Sequence, residues 1–156
     1  MTKKLDSADR KLLELVQVDA RMGLEALAGE TGLSVASVQR RLKALKDQGA
    51  ILSEVAVVDP RKAGVAMRFV VMVELERERQ DQIDAFARQV QAEPMVQQCY
   101  YITGDADFCL ICMARDMDDF EDLTKRLFFD NSNVRRFRTS VVMRPHKVGL
   151  GVPIAP

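Results

Sequence analysis

The chain has 156 residues, 47% hydrophobic and 29% charged, enough for one domain or two small ones and too apolar for wholesale disorder. Its 23 lysines and arginines balance 23 acids, so overall charge neither demands nor excludes a nucleic-acid partner. No apolar run reaches the ~18 residues of a membrane span, the first residues lack a signal-peptide core, and three cysteines form no disulfide framework, which together predict a cytoplasmic protein.

Up to about residue 50 the apolar spacing is helical. Asp6 or Ser7 can cap a first helix that turns Leu12, Leu13, Leu15 and Val16 inward. Leu24, Leu27 and Ala28 form the stripe of a short second helix, and Gly32 suits the left-handed position that ends it. Ser34 can cap a third helix, which buries Val38, Leu42 and Leu45 and stops at Gly49. The β-branched run Ile51 to Val58 reads as a strand, and Asp59-Pro60 opens a linker over 59–66.

From residue 67 the period changes. Phe69, Val71, Val73 and Leu75 alternate with Arg68, Val70, Met72 and Glu74 as a strand with one strongly apolar face. Asp81 can cap a helix carrying Ile83, Phe86, Ala87 and Val90, which Pro94 prevents from continuing. Val96 to Thr103 is a second strand, Gly104 to Asp107 a tight turn, and Phe108 to Ala114 a central strand. Asp116 caps a helix with Phe120, Leu123, Leu127 and Phe128, and Phe137 to Met143 forms the last strand. The order βαββαβ is that of a ferredoxin-like domain, so the fold class is α+β, with residues 1–58 a winged helix-turn-helix and 67–156 the second domain.

Three short helices with a glycine turn before the third, followed by a wing strand, suit DNA. Between Leu33 and Lys46 the chain carries Arg40, Arg41, Lys43 and Lys46 and no acid, a local charge of +4. Opposite Val38 the third helix presents Ala36, Arg40 and Lys43, with Ser37 and Gln39 on the flanks. Such a face is either an ordinary solvated one or a reader of the major groove. The helical order and wing favour double-stranded DNA, with Ser34, Ser37, Gln39, Arg40 and Lys43 at the groove and Arg41 and Lys46 nearer phosphates. Arg41 lies closest to the buried side and can pair with an acid instead of a phosphate.

Other chemistry finds little support. Cys109 and Cys112 have the spacing of half a zinc site, but three residues apart on a strand they face opposite ways, which fits core cysteines. His146 is the only histidine and no Gly-x-Ser-x-Gly turn occurs, so no catalytic residue, metal site or cofactor is expected. Gly104-Asp105-Ala106-Asp107 is either a plain hairpin turn or a small-ligand cradle, with amides to meet a carboxylate and aspartates to meet an ammonium.

In order along nearly the whole chain stand Leu5-Asp6-Ser7-Ala8-Asp9, Asp19-Ala20-Arg21, Gly32-Leu33-Ser34, Arg40-Arg41-Leu42, Gly49-Ala50-Ile51, Gly104-Asp105-Ala106-Asp107-Phe108 and Arg138-Thr139-Ser140-Val141-Val142-Met143. This series resembles transcriptional regulators of the leucine-responsive regulatory protein/AsnC family. The resemblance implies a DNA-binding regulator that forms homodimers and higher assemblies, octamers among them, and binds amino acids between protomers. It departs from the family at Ala106, where an aromatic residue is usual; the smaller wall favours an apolar or aromatic effector. The effector contacts it suggests are Gly104 and the following amides, Asp105 or Asp107 for the ammonium, Tyr101 and Thr103 before the turn, Thr139 and Ser140 from a neighbouring protomer, and Met117 as a pocket wall. The alternatives are an effector-independent DNA-organising regulator and an enzyme of amino-acid metabolism with a regulatory domain.

Overall fold

The computed structural model describes residues 4–155. They form two units, residues 4–57 with 147–155, and residues 58–146.

The first unit holds α1 (Ser7–Val16), α2 (Leu24–Thr31) and α3 (Val35–Asp47). Asp6 caps α1 in a capping box: its carboxylate accepts from the Asp9 amide at 2.8 Å, while the Asp9 side chain accepts from the Asp6 amide. Gly32, at φ +68°, ends α2 in the left-handed region as its spacing predicts, and two residues later Ser34 accepts from the Ser37 amide to start α3. The core is Leu12, Leu13, Leu27, Val38 and Leu45, with Leu42, Ile51 and Ile154 packed against it.

Two expectations fail in this unit. Residues 51–58 form no strand, and Leu52, Val55, Val57 and Val58 stand exposed. A β-branched run becomes a strand only where another strand completes its backbone ladder, and a single copy of the chain supplies none here. The helix-turn-helix therefore forms without a strand in its wing. The C-terminal segment, expected with the second domain, groups instead with the first. There the Gln17 side chain brackets the Val152 peptide, Nε2 donating to the carbonyl and Oε1 accepting from the amide, both at 3.0 Å. Ile154 covers the helical core. Burying about half of such a side chain contributes ~1 kcal/mol, so Ile154→Asp should lower the melting temperature of the helical unit by roughly 4–8 °C, read by calorimetry of the full chain. An unchanged transition would mean that the segment contributes nothing to the unit's stability.

The second unit holds β1 (Met67–Leu75), α4 (Gln80–Gln91), β2 (Val96–Tyr101), β3 (Phe108–Ala114), α5 (Met117–Thr124) with a π-helical turn over Lys125–Phe129, and β4 (Val134–Val141). The sheet is antiparallel in the order β2-β3-β1-β4, the ferredoxin-like arrangement. Phe69, Val71, Val73, Phe108, Leu110 and Cys112 face α4 and α5, where Phe69 stacks on Phe120 at 3.8 Å. Boundaries differ locally. α4 is capped by Arg79 with no side-chain bond, because Asp81 already lies inside its first turn. β2 ends at Tyr101, two residues early, and β4 begins at Val134. Arg135 and Arg136 lie before the strand expected from Phe137, yet an edge strand can carry charges outward.

Among the described residues, no helix of this unit lies over the other face of the sheet. Along it lie Val70 and Met72 on β1, Cys109, Ile111 and Met113 on β3 and Tyr100 on β2, as the registers Met72–Cys109, Val70–Ile111 and Tyr100–Cys109 require. Cys109 and Cys112 thus face opposite ways, as strand geometry demands. Burial pushes the Cys112 thiol up to about 12, so it is not a nucleophile at neutral pH.

Candidate DNA-binding face and effector pocket

The basic stretch of α3 divides once its partners are in place. Arg41 Nη1 binds Asp6 at 2.7 Å and the buried Asp9 at 2.6 Å, tying α3 to the start of α1. The hydrogen bond to Asp6 is the main cause raising the Arg41 pKa, and the Asp9 amide with Arg41 lowers that of Asp6. Arg41 therefore lies among acids of its own unit, the acid pairing that its place near the buried side of the helix allowed. Lys46 pairs with Glu54 at 3.0 Å. Asp47, one residue past the basic stretch, returns to the outer face and meets Lys43 at 2.7 Å. Both Lys43 and Asp47 are well exposed, and such pairs hold their partners weakly, so Lys43 stays free to exchange. Arg40 is in no ion pair among the described residues and touches only the Ser37 hydroxyl at 3.5 Å. Ser34 is spent on capping. Gln39, Arg40 and Lys43 are exposed together and Ser37 is half-buried beside them.

In the second unit the loop between β2 and β3 opens a small cavity of about 170 Å³. Gly104, at φ +124°, gives the loop a backbone that a side chain would strain, and no atom lies within 4 Å of where a Cβ would stand. Gly104, Asp105, Ala106 and Asp107 line the cavity as expected, joined by residues that sequence reasoning missed: Glu74 and Leu75 from β1, Glu78 after it, and Arg135 from β4. Only the sheet order, which sets β1 beside β3 and β4 beside β1, brings these together. Asp107 is largely committed to the fold: its carboxylate accepts from the Leu75 amide at 2.7 Å, and its own amide donates to the Val73 carbonyl at 2.9 Å. Of the two aspartates, Asp105 is the one with an uncommitted carboxylate. Glu74 takes Arg136 at 2.7 Å and Arg138 at 3.5 Å; the Arg136 hydrogen bond holds its carboxyl below the ordinary range.

Ala106, although it lines the cavity, is only 5% exposed, so its small side chain adds little open room. The remaining expected effector residues lie elsewhere. Thr103 sits in the loop without lining the cavity, and Met117 stands exposed at the start of α5. Thr139 pairs with Val71 and Ser140 with Val70, so the two face opposite sides of the sheet and cannot serve one site within a protomer. Tyr101 packs on Phe108 at 5.3 Å and lines a larger cavity, about 450 Å³, between α4 and the outer edge of β2. That cavity has apolar walls and a glutamine rim but no charged side chain, so it offers a zwitterion no counter-charge. No group of three or more potential metal ligands occurs among the described residues, and no helix there is long and apolar enough to cross a membrane.

A helix-turn-helix joined to a sheet domain with a ligand-sized cavity defines an effector-responsive DNA-binding regulator. Comparison with known proteins agrees: residues 5–46 match the AsnC-type helix-turn-helix domain and residues 68–151 the Lrp/AsnC ligand binding domain. The HTH-type transcriptional regulator y4tD of Sinorhizobium fredii is 44% identical over 97% of this chain and 89% of its own. A transcriptional regulator from Neisseria meningitidis, in complex with L-Met, superposes with a TM-score of 0.89 at 27% identity over 96% of this chain and 97% of its own. An AsnC family regulator from Agrobacterium tumefaciens also gives 0.89, at 26% identity over the same shares. The chain belongs to the Lrp/AsnC family of transcriptional regulators.

Proposed function

We propose that the chain is a cytoplasmic regulator that reads double-stranded DNA through α3 and responds to a free amino acid bound at the 102–107 loop. Gln39, Arg40 and Lys43, with Ser37 at the flank, are the groove-facing set, and Lys46 lies toward the phosphates. The observation that carries the effector reading is the loop cavity, where the open Gly104 backbone adjoins free charges of both signs. An α-amino acid needs donors and acceptors side by side, and the loop amides and Asp105 supply them. The L-Met held by the Neisseria relative supports the same ligand class.

Titration calorimetry with the twenty amino acids tests it. We expect at least one to bind the wild type and to lose about tenfold or more in affinity in Asp105→Ala and in Gly104→Val, each with its melting transition retained. Unchanged binding in both variants would move the pocket elsewhere, and no binding by wild type would favour an effector-independent regulator.

The protein acts as a homodimer, with the uncovered sheet face as the interface. Val70, Met72, Ile111 and Met113 are more apolar than a solvated face needs. The exposed Val55, Val57 and Val58 support a second contact between copies, in which 51–58 gains the ladder it lacks alone. A site completed between protomers would let Thr139 or Ser140 of a second copy reach the effector and would favour assembly beyond the dimer, octamers included.

A further inference from the structure

The loop cavity is lined by more charge than a simple amino acid uses. Glu74 is occupied by Arg136 and Arg138, and Asp107 by the Leu75 amide. Three lining groups remain in no ion pair among the described residues: the carboxylates of Glu78 and Asp105 and the guanidinium of Arg135. They come from three separate elements, the segment after β1, the loop itself and the start of β4.

We propose that Arg135 and Glu78, neither of which belongs to the loop, choose the effector, and that its class is the basic α-amino acids. The inference rests on the loop cavity being the effector site. Arg135 takes the α-carboxylate with its two-pronged donor set, helped by the loop amides. Asp105 accepts from the α-ammonium. One carboxylate is then left over, and Glu78 meets a second cation at the end of the side chain. An aliphatic side chain would leave the Glu78 carboxylate partly desolvated with nothing to pair, a cost that a terminal ammonium or guanidinium removes. The cavity thus discriminates by charge count, not by a hydrophobic wall, and the small side chain at Ala106 does not set the preference.

Calorimetry on the full chain with three probes separates the roles: lysine, norleucine as its analogue without the ε-ammonium, and lysinamide without the carboxylate. Wild type is expected to bind lysine about tenfold to a hundredfold more tightly than either analogue. Glu78→Gln should bring lysine down to the level of norleucine and leave norleucine unchanged. Arg135→Ala should weaken lysine and norleucine alike, and Arg135→Lys should restore part of the loss. Both positions are exposed, so melting transitions should stay in place. Wild type that binds norleucine or leucine as well as lysine would overturn the inference while leaving the amino-acid reading intact. A lysine preference that survives Glu78→Gln would overturn it as well. If wild type bound no amino acid at all, the underlying reading of the loop as an effector site would fall, and this inference with it.

Discussion

Arg40→Ala should weaken operator binding by about 1–3 kcal/mol with no change in melting temperature, whereas its neighbour Arg41→Ala should lower the melting temperature first. The two arginines are adjacent in sequence and opposite in employment. Arg40 is exposed and in no ion pair among the described residues, so truncating it leaves nothing buried behind. Arg41 is three-quarters covered and joins Asp6 and the buried Asp9; its loss strands the Asp9 carboxylate, the kind of change that destabilises most. Binding to a fixed operator by fluorescence anisotropy over a salt series, with calorimetry beside it, separates the effects. If Arg40 reads a base, specificity relaxes at one position; if it meets a phosphate, the salt slope falls by about one unit. Normal operator binding by an Arg40→Ala/Lys43→Ala double variant would show that this face of α3 does not enter the groove. A loss of affinity in Arg41→Ala at unchanged stability would return Arg41 to the DNA.

What the sequence reveals here follows the range of each interaction. Helix ends at Asp6, Gly32, Ser34 and Asp116 come out as read, because a cap needs only its own residue and the next three or four. The apolar faces of β1 and β3 are equally plain, since a period of two is local. The Arg41 pairing spans 35 residues to Asp6, and nothing along the chain distinguishes that arginine except its nearness to the buried side of α3. The strand expected over Ile51 to Val58 had the right residues and no neighbour, which propensity cannot supply. Glu78 and Arg135 were beyond reach for the same reason: only the order β3-β1-β4 sets them beside Gly104. The separation of Thr139 from Ser140, by contrast, was available from strand alternation alone.

If the uncovered sheet face is the dimer interface proposed above, Ile111→Asp should leave a species near the chain mass of 17.5 kDa and remove most of the operator affinity. Ile111 sits opposite Val70 near the middle of the uncovered sheet face, with Cys109 and Met113 two residues away on the same side. In a two-fold interface one substitution appears twice, so each dimer would bury two carboxylates with no cation provided for them. At ~2 kcal/mol per copy the cost is ~4 kcal/mol, about a thousandfold in the dissociation constant. Within one protomer the position is half-buried at a helix-free face, so the fold should persist. DNA binding falls for a geometric reason: a dimer offers two copies of α3 to the two halves of a pseudo-palindromic site, and a monomer offers one. Light scattering in dilute solution and operator binding of the same samples decide the matter. A wild type that is already monomeric would remove the sheet face as an interface, and a variant that stays dimeric would move the contact to another surface, with the exposed 51–58 segment the next to substitute.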